Sequence, residues 1–125
     1  MADERLEALG MALEYNPQGE SGPTFEDVSR VLAFWSNKEP PWNTMGDADF
    51  VWLVEFRGGD RGAYYGWHDY TGWDCRSGLT LYPFECWQKQ LRADENFGYI
   101  DNAEAIIDAL EAALAAPSGA TEVGE

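Results

Sequence analysis

The residues of this chain with chemical potential are few and closely grouped: one histidine, His68, two cysteines, Cys75 and Cys86, and the acids Asp69 and Asp74 between them. A thiol becomes a useful nucleophile when an adjacent base takes its proton, which here would need His68 beside Cys75 or Cys86. Asp69 follows His68 directly, so on a strand it would point to the opposite face and is poorly placed to orient the ring. His68, Asp74, Cys75 and Cys86 are also zinc-ligand types, but neither the C-x2-C nor the H-x3–5-H spacing of structural zinc sites is present. No metal and no cofactor are expected. The segment Gly58-Gly59-Asp60-Arg61-Gly62 is glycine-rich yet lacks the Lys-Ser/Thr pair of a phosphate loop and the helix that should follow it. It reads as a hairpin turn. The 23 acids offer many carboxylate pairs, but none stands in a hydrolase pattern, and no residue is assigned a catalytic role.

Residues 64–75 read Tyr-Tyr-Gly-Trp-His-Asp-Tyr-Thr-Gly-Trp-Asp-Cys. Side chains alternate along a strand, so Tyr64, Tyr65, Trp67, Tyr70 and Trp73 cannot all be buried against one layer. Exposed Trp and Tyr beside acids suit a contact surface, because they supply large rigid area. The alternative is a small-molecule or carbohydrate site, or an enzyme, built around the turn from His68 to Cys75. There a sugar would stack on Trp67 or Trp73 and bond to Asp69 or Asp74. The string at 69–75, DYTGWDC, resembles one found in small uncharacterised actinobacterial and phage proteins. In that pattern a Cys often stands where this chain has His68, and Gln where it has Arg76. The resemblance covers about ten residues and implies a strand–turn element and a source, but no activity.

Charge narrows the choice of partner. The formal net charge is −15, from 23 acids against 8 bases. Residues 30–92 are nearly balanced, with 8 acids and 7 bases, whereas residues 93–125 hold 8 acids and no base. Such a field argues against direct binding to nucleic acid or to an anionic membrane. Asp101, Glu104, Asp108 and Glu111 follow one another at helical steps and form one acidic row. Like charges at that spacing cost an isolated helix roughly 0.2–0.5 kcal/mol per pair. A helix built only for stability would interleave Lys or Arg. The row therefore reads either as a solvated face or as a surface that steers a basic partner.

The supporting elements follow from periodicity. Residues 3–14 carry Leu6, Leu9 and Leu13 at helical spacing, with acids at the start. Thr24 with Asp27 resembles a capping box, and Val28, Val31, Leu32 and Trp35 repeat as in a helix, so a second helix is expected there. Residues 50–57, FVWLVEFR, form a strand with Phe50, Trp52, Val54 and Phe56 on one face and Val51, Leu53 and Glu55 on the other. The turn and AYYGWHDY complete a hairpin. Leu79 to Tyr82 is a third short strand. Phe84, Trp87 and Leu91 allow a helical turn or two. Asp101 and Asn102 open a last helix with the stripe Ala103, Ile106, Ile107, Leu110, Ala113 and Leu114.

The expected fold is α+β: two or three antiparallel strands packed by N- and C-terminal helices, in one domain over 1–116 with a flexible tail over 117–125. No apolar run approaches the about 20 residues of a membrane span, and no signal peptide is visible at Met1-Ala2-Asp3-Glu4-Arg5. A cytoplasmic location is expected, and with it two reduced thiols, although the spacing of Cys75 and Cys86 permits a bridge in an oxidising compartment. The expected function is that of an acidic, non-catalytic protein-binding module. An inhibitor or immunity-type protein of a phage or mobile element would fit, engaging a partner with a basic, nucleic-acid-binding surface. Its contact residues would be Asp101, Glu104, Asp108 and Glu111 on the helix and Trp67, Asp69, Tyr70, Trp73 and Asp74 near the hairpin.

Overall fold

A strand apolar on both faces, as residues 50–54 are, is stable only if each face is covered by its own layer. The computed structural model, which describes residues 3–42, 47–70 and 74–115, has that arrangement. Helix α1 (Glu4–Tyr15) and a short 3-10 turn (Phe25–Asp27) precede strands β1 (Val28–Ser36), β2 (Ala48–Phe56), β3 (Arg61–Tyr70) and β4 (Cys75–Pro83). A second 3-10 turn (Phe84–Cys86) leads into α2 (Trp87–Asn96) and α3 (Ala103–Ala115). The strands form one antiparallel meander in the order β1-β2-β3-β4. The fold is α+β as expected, but with four strands rather than two or three.

The two terminal helices lie on opposite faces of this sheet. Phe50, Trp52, Val54 and Tyr64 pack with Ala8, Leu9 and Leu13 of α1. Val51, Leu53, Ala63 and Tyr65 pack with Trp87 and Leu91 of α2 and with Ile106, Ile107 and Leu110 of α3. Each Val, Leu, Ile or Phe among these, fully buried, stabilises the fold by roughly 1.5–3 kcal/mol. Polar bonds set the layers in register. The Trp52 indole donates to the Arg5 carbonyl at 2.9 Å, and Asn16, at the end of α1, donates to Ser77 Oγ on β4 at 3.0 Å. At the other end of the chain, the N-terminus of α3 is capped twice. Ala105 N–H donates to Asn102 Oδ1 and Ala103 N–H to Glu95 Oε1.

The helix expected over 24–35 is a correction. Thr24 N and Oγ1 do bond to Asp27 Oδ2, at 2.6 and 3.0 Å, but the cap opens only a three-residue turn, and Val28 begins β1. The register of β1 on β2 shifts between Val28 and Arg30 and again between Val31 and Ala33. Each bulge adds a residue to one strand and interrupts the period of two. Val28 and Val31 consequently share the α1 face while Leu32 and Trp35 pack on the other. A twice-bulged strand thereby reproduces helical spacing. Among the described residues, no helix is long and apolar enough to cross a membrane. The expected tail, 117–125, lies outside the described residues.

Tyr64 is fully buried, and its hydroxyl has no hydrogen-bond partner among the described residues. Burial, with the charge of Asp27 adding to it, pushes this phenol up to about 12. An unpaired buried hydroxyl costs about 1–3 kcal/mol. Tyr64→Phe should therefore raise stability by about 1 kcal/mol in urea unfolding at unchanged m-value. A loss of stability would show that the hydroxyl is satisfied.

Candidate functional site

Where β2 begins and β3 ends, the strands run past the helical layer and leave part of the α2/α3 face of the sheet open. The result is a cleft of about 550 Å³. The Tyr65, Trp67 and Tyr82 side chains share this face by strand alternation and cross-strand pairing, which sets Trp67 opposite Asp49 on β2 and Gly78 on β4. Trp67 lies flat across β4: a Cβ at position 78 would stand 2.4 Å from its Nε1, so the indole holds this position only over a glycine. Tyr99, in the link between α2 and α3, closes one side, next to Gly98 at φ +84°.

Among the described residues, four carboxylates line this cleft, Asp47, Asp49, Asp69 and Asp94, and no Lys or Arg does. Asp69 meets Arg76 at 3.1 Å on the rim. The other three have neutral partners: Asp47 Oδ1 accepts from Tyr70 N–H at 2.7 Å, and Asp94 Oδ2 accepts from the Tyr82 hydroxyl at 2.7 Å. Asp49 receives Asn37 Nδ2 at 3.3 Å, and its Oδ1 lies 3.2 Å from the Tyr65 hydroxyl. That hydroxyl is also 3.2 Å from the Tyr99 carbonyl. Burial raises Asp49 above the usual carboxylate range against the opposing Tyr65 bond, and the charge of Asp101 adds to the rise. Burial likewise raises Asp94, with the Tyr82 bond acting the other way. Tyr65 and Tyr82 are raised as well, by burial first and by their acidic neighbours.

The expected contact residues divide between two places. Trp67 (37% exposed) and Asp69 belong to the cleft, and Tyr70 (52% exposed) stands beside it through its bond to Asp47. Tyr64 and Tyr65, by contrast, are buried, so the hairpin aromatics do split between core and surface. Asp74 is exposed and lines no part of the cleft, and Trp73 lies outside the described residues. Asp101, Glu104, Asp108 and Glu111 are all exposed, but of these only Asp101 is felt in the cleft. Partners for two of these acids come from α2, one cationic and one neutral. Arg92 pairs with Glu104, holding that carboxyl below its usual range, and Gln88 donates to Glu111 at 3.3 Å.

Periodicity does not single out Asp47, Asp49, Asp94 or Tyr99. The one signal was the pair Phe97 and Tyr99 between two helices, 74% and 64% exposed and stacked at 6.0 Å. The zinc quartet is not assembled. Cys75 opens β4, whereas Cys86 lies past its far end, and both are free. Among the described residues no three metal-ligating side chains come together. In comparison with known proteins, no family model matches this chain, and neither does any curated protein or solved structure.

A carboxyl that protonates more readily folded than unfolded contributes stability that is full below its ordinary value and is lost as pH rises through its raised one. Asp94→Asn keeps an acceptor for Tyr82 and removes the buried charge. The variant should melt higher than the parent at neutral pH, and the gap should close as pH falls toward the ordinary carboxylate value. A gap independent of pH would show that the charge of Asp94 is not what costs stability.

Proposed function

We propose that this protein is a small acidic binding module that takes a cationic side chain of a basic partner into the cleft beside Trp67. The observation that carries this reading is the meeting, in one concavity, of an exposed indole with four carboxylates and, among the described residues, no lining Lys or Arg. A guanidinium or ammonium is attracted to an aromatic face and to desolvated carboxylates at once. Exposed Tyr70, Phe97 and Tyr99 supply apolar contact area around that anchor. The acidic row on α3 acts at longer range, steering a basic partner toward this end of the molecule. Carboxylates presented in place of phosphates suit an inhibitor or immunity-type role against a nucleic-acid-binding protein. The DYTGWDC resemblance is in keeping with a phage or mobile-element source. The same concavity is what favours the second reading, a sugar stacked on Trp67 with Asp69 bonding its hydroxyls.

Calorimetric titration with a tetra-arginine peptide and, separately, with maltose distinguishes the two. The peptide should bind the parent chain, with affinity rising as pH passes through the raised carboxyls, because a cation favours their ionised form. The double variant Asp49→Asn, Asp69→Asn and the single variant Trp67→Ala should each weaken peptide binding roughly tenfold or more. Reversal of Glu104, Asp108 and Glu111 to Lys should slow association and flatten its salt dependence. Parent-like peptide binding by the cleft variants would remove the proposal. Saturable maltose binding that depends on Trp67 and Asp69 would put the sugar reading in its place.

A further inference from the structure

On the opposite face of the sheet the only imidazole meets a thiol: Cys75 Sγ is 3.7 Å from His68 Nε2. The β3–β4 register pairs Tyr70 with Cys75 and His68 with Ser77, so His68, Cys75 and Ser77 share the face beneath α1. They stand at a second, smaller hollow of about 160 Å³ between α1 and the sheet, whose walls include Ala8, Met11, Phe50 and Trp52. Gly66 lies in its floor, where a Cβ would come 3.0 Å from the Trp52 ring. Asn16 spends its two amide hydrogens on the Ala12 carbonyl, at 3.1 Å, and on Ser77 Oγ, at 3.0 Å. Ser77 accepts there, and its own proton has no acceptor among the described residues. One rim thus carries a thiol, a base in contact with it and a hydroxyl able to donate, above an apolar hollow.

We propose that Cys75 is a nucleophilic thiol, with His68 as its base, that accepts an acyl group from an activated ester whose short apolar chain occupies the hollow beneath α1. The sulfur attacks the carbonyl carbon, and a C–S bond forms as the C–O bond to the leaving alcohol breaks. The thiol proton passes to His68 Nε2, in the tautomer protonated at Nδ1, and from there to the departing oxygen. Ser77 donates to the carbonyl oxygen as charge develops on it. The products are a Cys75 thioester and an alcohol, and no oxidant or reductant is needed. This inference does not rest on the cleft reading: Cys75, Ser77 and the hollow lie on the other face of the sheet, and His68 and Trp67 border both hollows.

The full chain is incubated with p-nitrophenyl acetate or p-nitrophenyl butyrate, and p-nitrophenolate release is followed together with intact mass and peptide mapping. The expected result is one acyl group per chain, on Cys75 and not on Cys86. Relative to the rates of the two esters with glutathione, butyrate should react roughly tenfold faster than acetate, from the two extra methylenes buried. Cys75→Ala should abolish the label, Cys86→Ser should keep it, and His68→Gln should slow it roughly a hundredfold. Met11→Phe, which narrows the hollow, should slow the butyrate reaction and remove its preference over acetate. Equal labelling of the two cysteines, a rate no faster than glutathione's, a parent-like rate in His68→Gln, or no dependence on chain length would overturn the proposal.

Discussion

The whole arrangement depends on β2 being buried on both sides. Val51, Trp52, Leu53 and Val54 are each within 1% of full burial, and they alternate between two separate clusters. A strand of this kind has no solvent face to give up, so the chain must supply a cover for each side. It does so from its two ends, α1 on one face and α3 with α2 on the other. The antiparallel meander then needs only short connections, and the tight turn at Gly58 and Gly59, both at φ +99°, supplies one of them.

Two covers over one sheet do not reach equally far, and the two hollows are where they stop short. Opposite faces of β3 present different chemistry there: Trp67 and Asp69 toward the open acidic cleft, His68 toward Cys75 and Ser77. Neighbouring residues in sequence therefore point to opposite faces, although Trp67 and His68 each border both hollows at this end of the sheet. The negative charge is divided in a similar way. On α3 it is partly answered by Arg92 and Gln88 from α2, while in the cleft it faces aromatic rings and phenol hydroxyls.

The elements that were legible in the sequence are those whose burial pattern is regular. The alternation over 50–56 identified both faces of β2, the leucines of α1 and the stripe of α3 identified their buried sides, and the glycine run identified the hairpin. β1 was not legible, because two bulges turned its period of two into steps of three and four. The cleft was legible only in part. Trp67 and Asp69 stand out as exposed aromatic and acid on one strand. Asp49, Asp94 and Tyr99 come from three other segments, and only the sheet register and the packing of α2 bring them together. The contact of His68 with Cys75 depends on the same register, and seven residues of separation do not reveal it.

The hydroxyl of Tyr65 lies at equal distances from Asp49 and from the main-chain carbonyl of Tyr99, and it has one hydrogen to give. When Asp49 is neutral it donates to the phenol oxygen, and the phenol in turn donates to the carbonyl, so both contacts are satisfied in a chain. When Asp49 is ionised there is one hydrogen for two acceptors, and one of them goes without. The bond that tethers the α2–α3 link to the sheet is thus conditional on the charge of a carboxyl belonging to β2. Whatever draws that carboxyl into its charged form also competes for the tether.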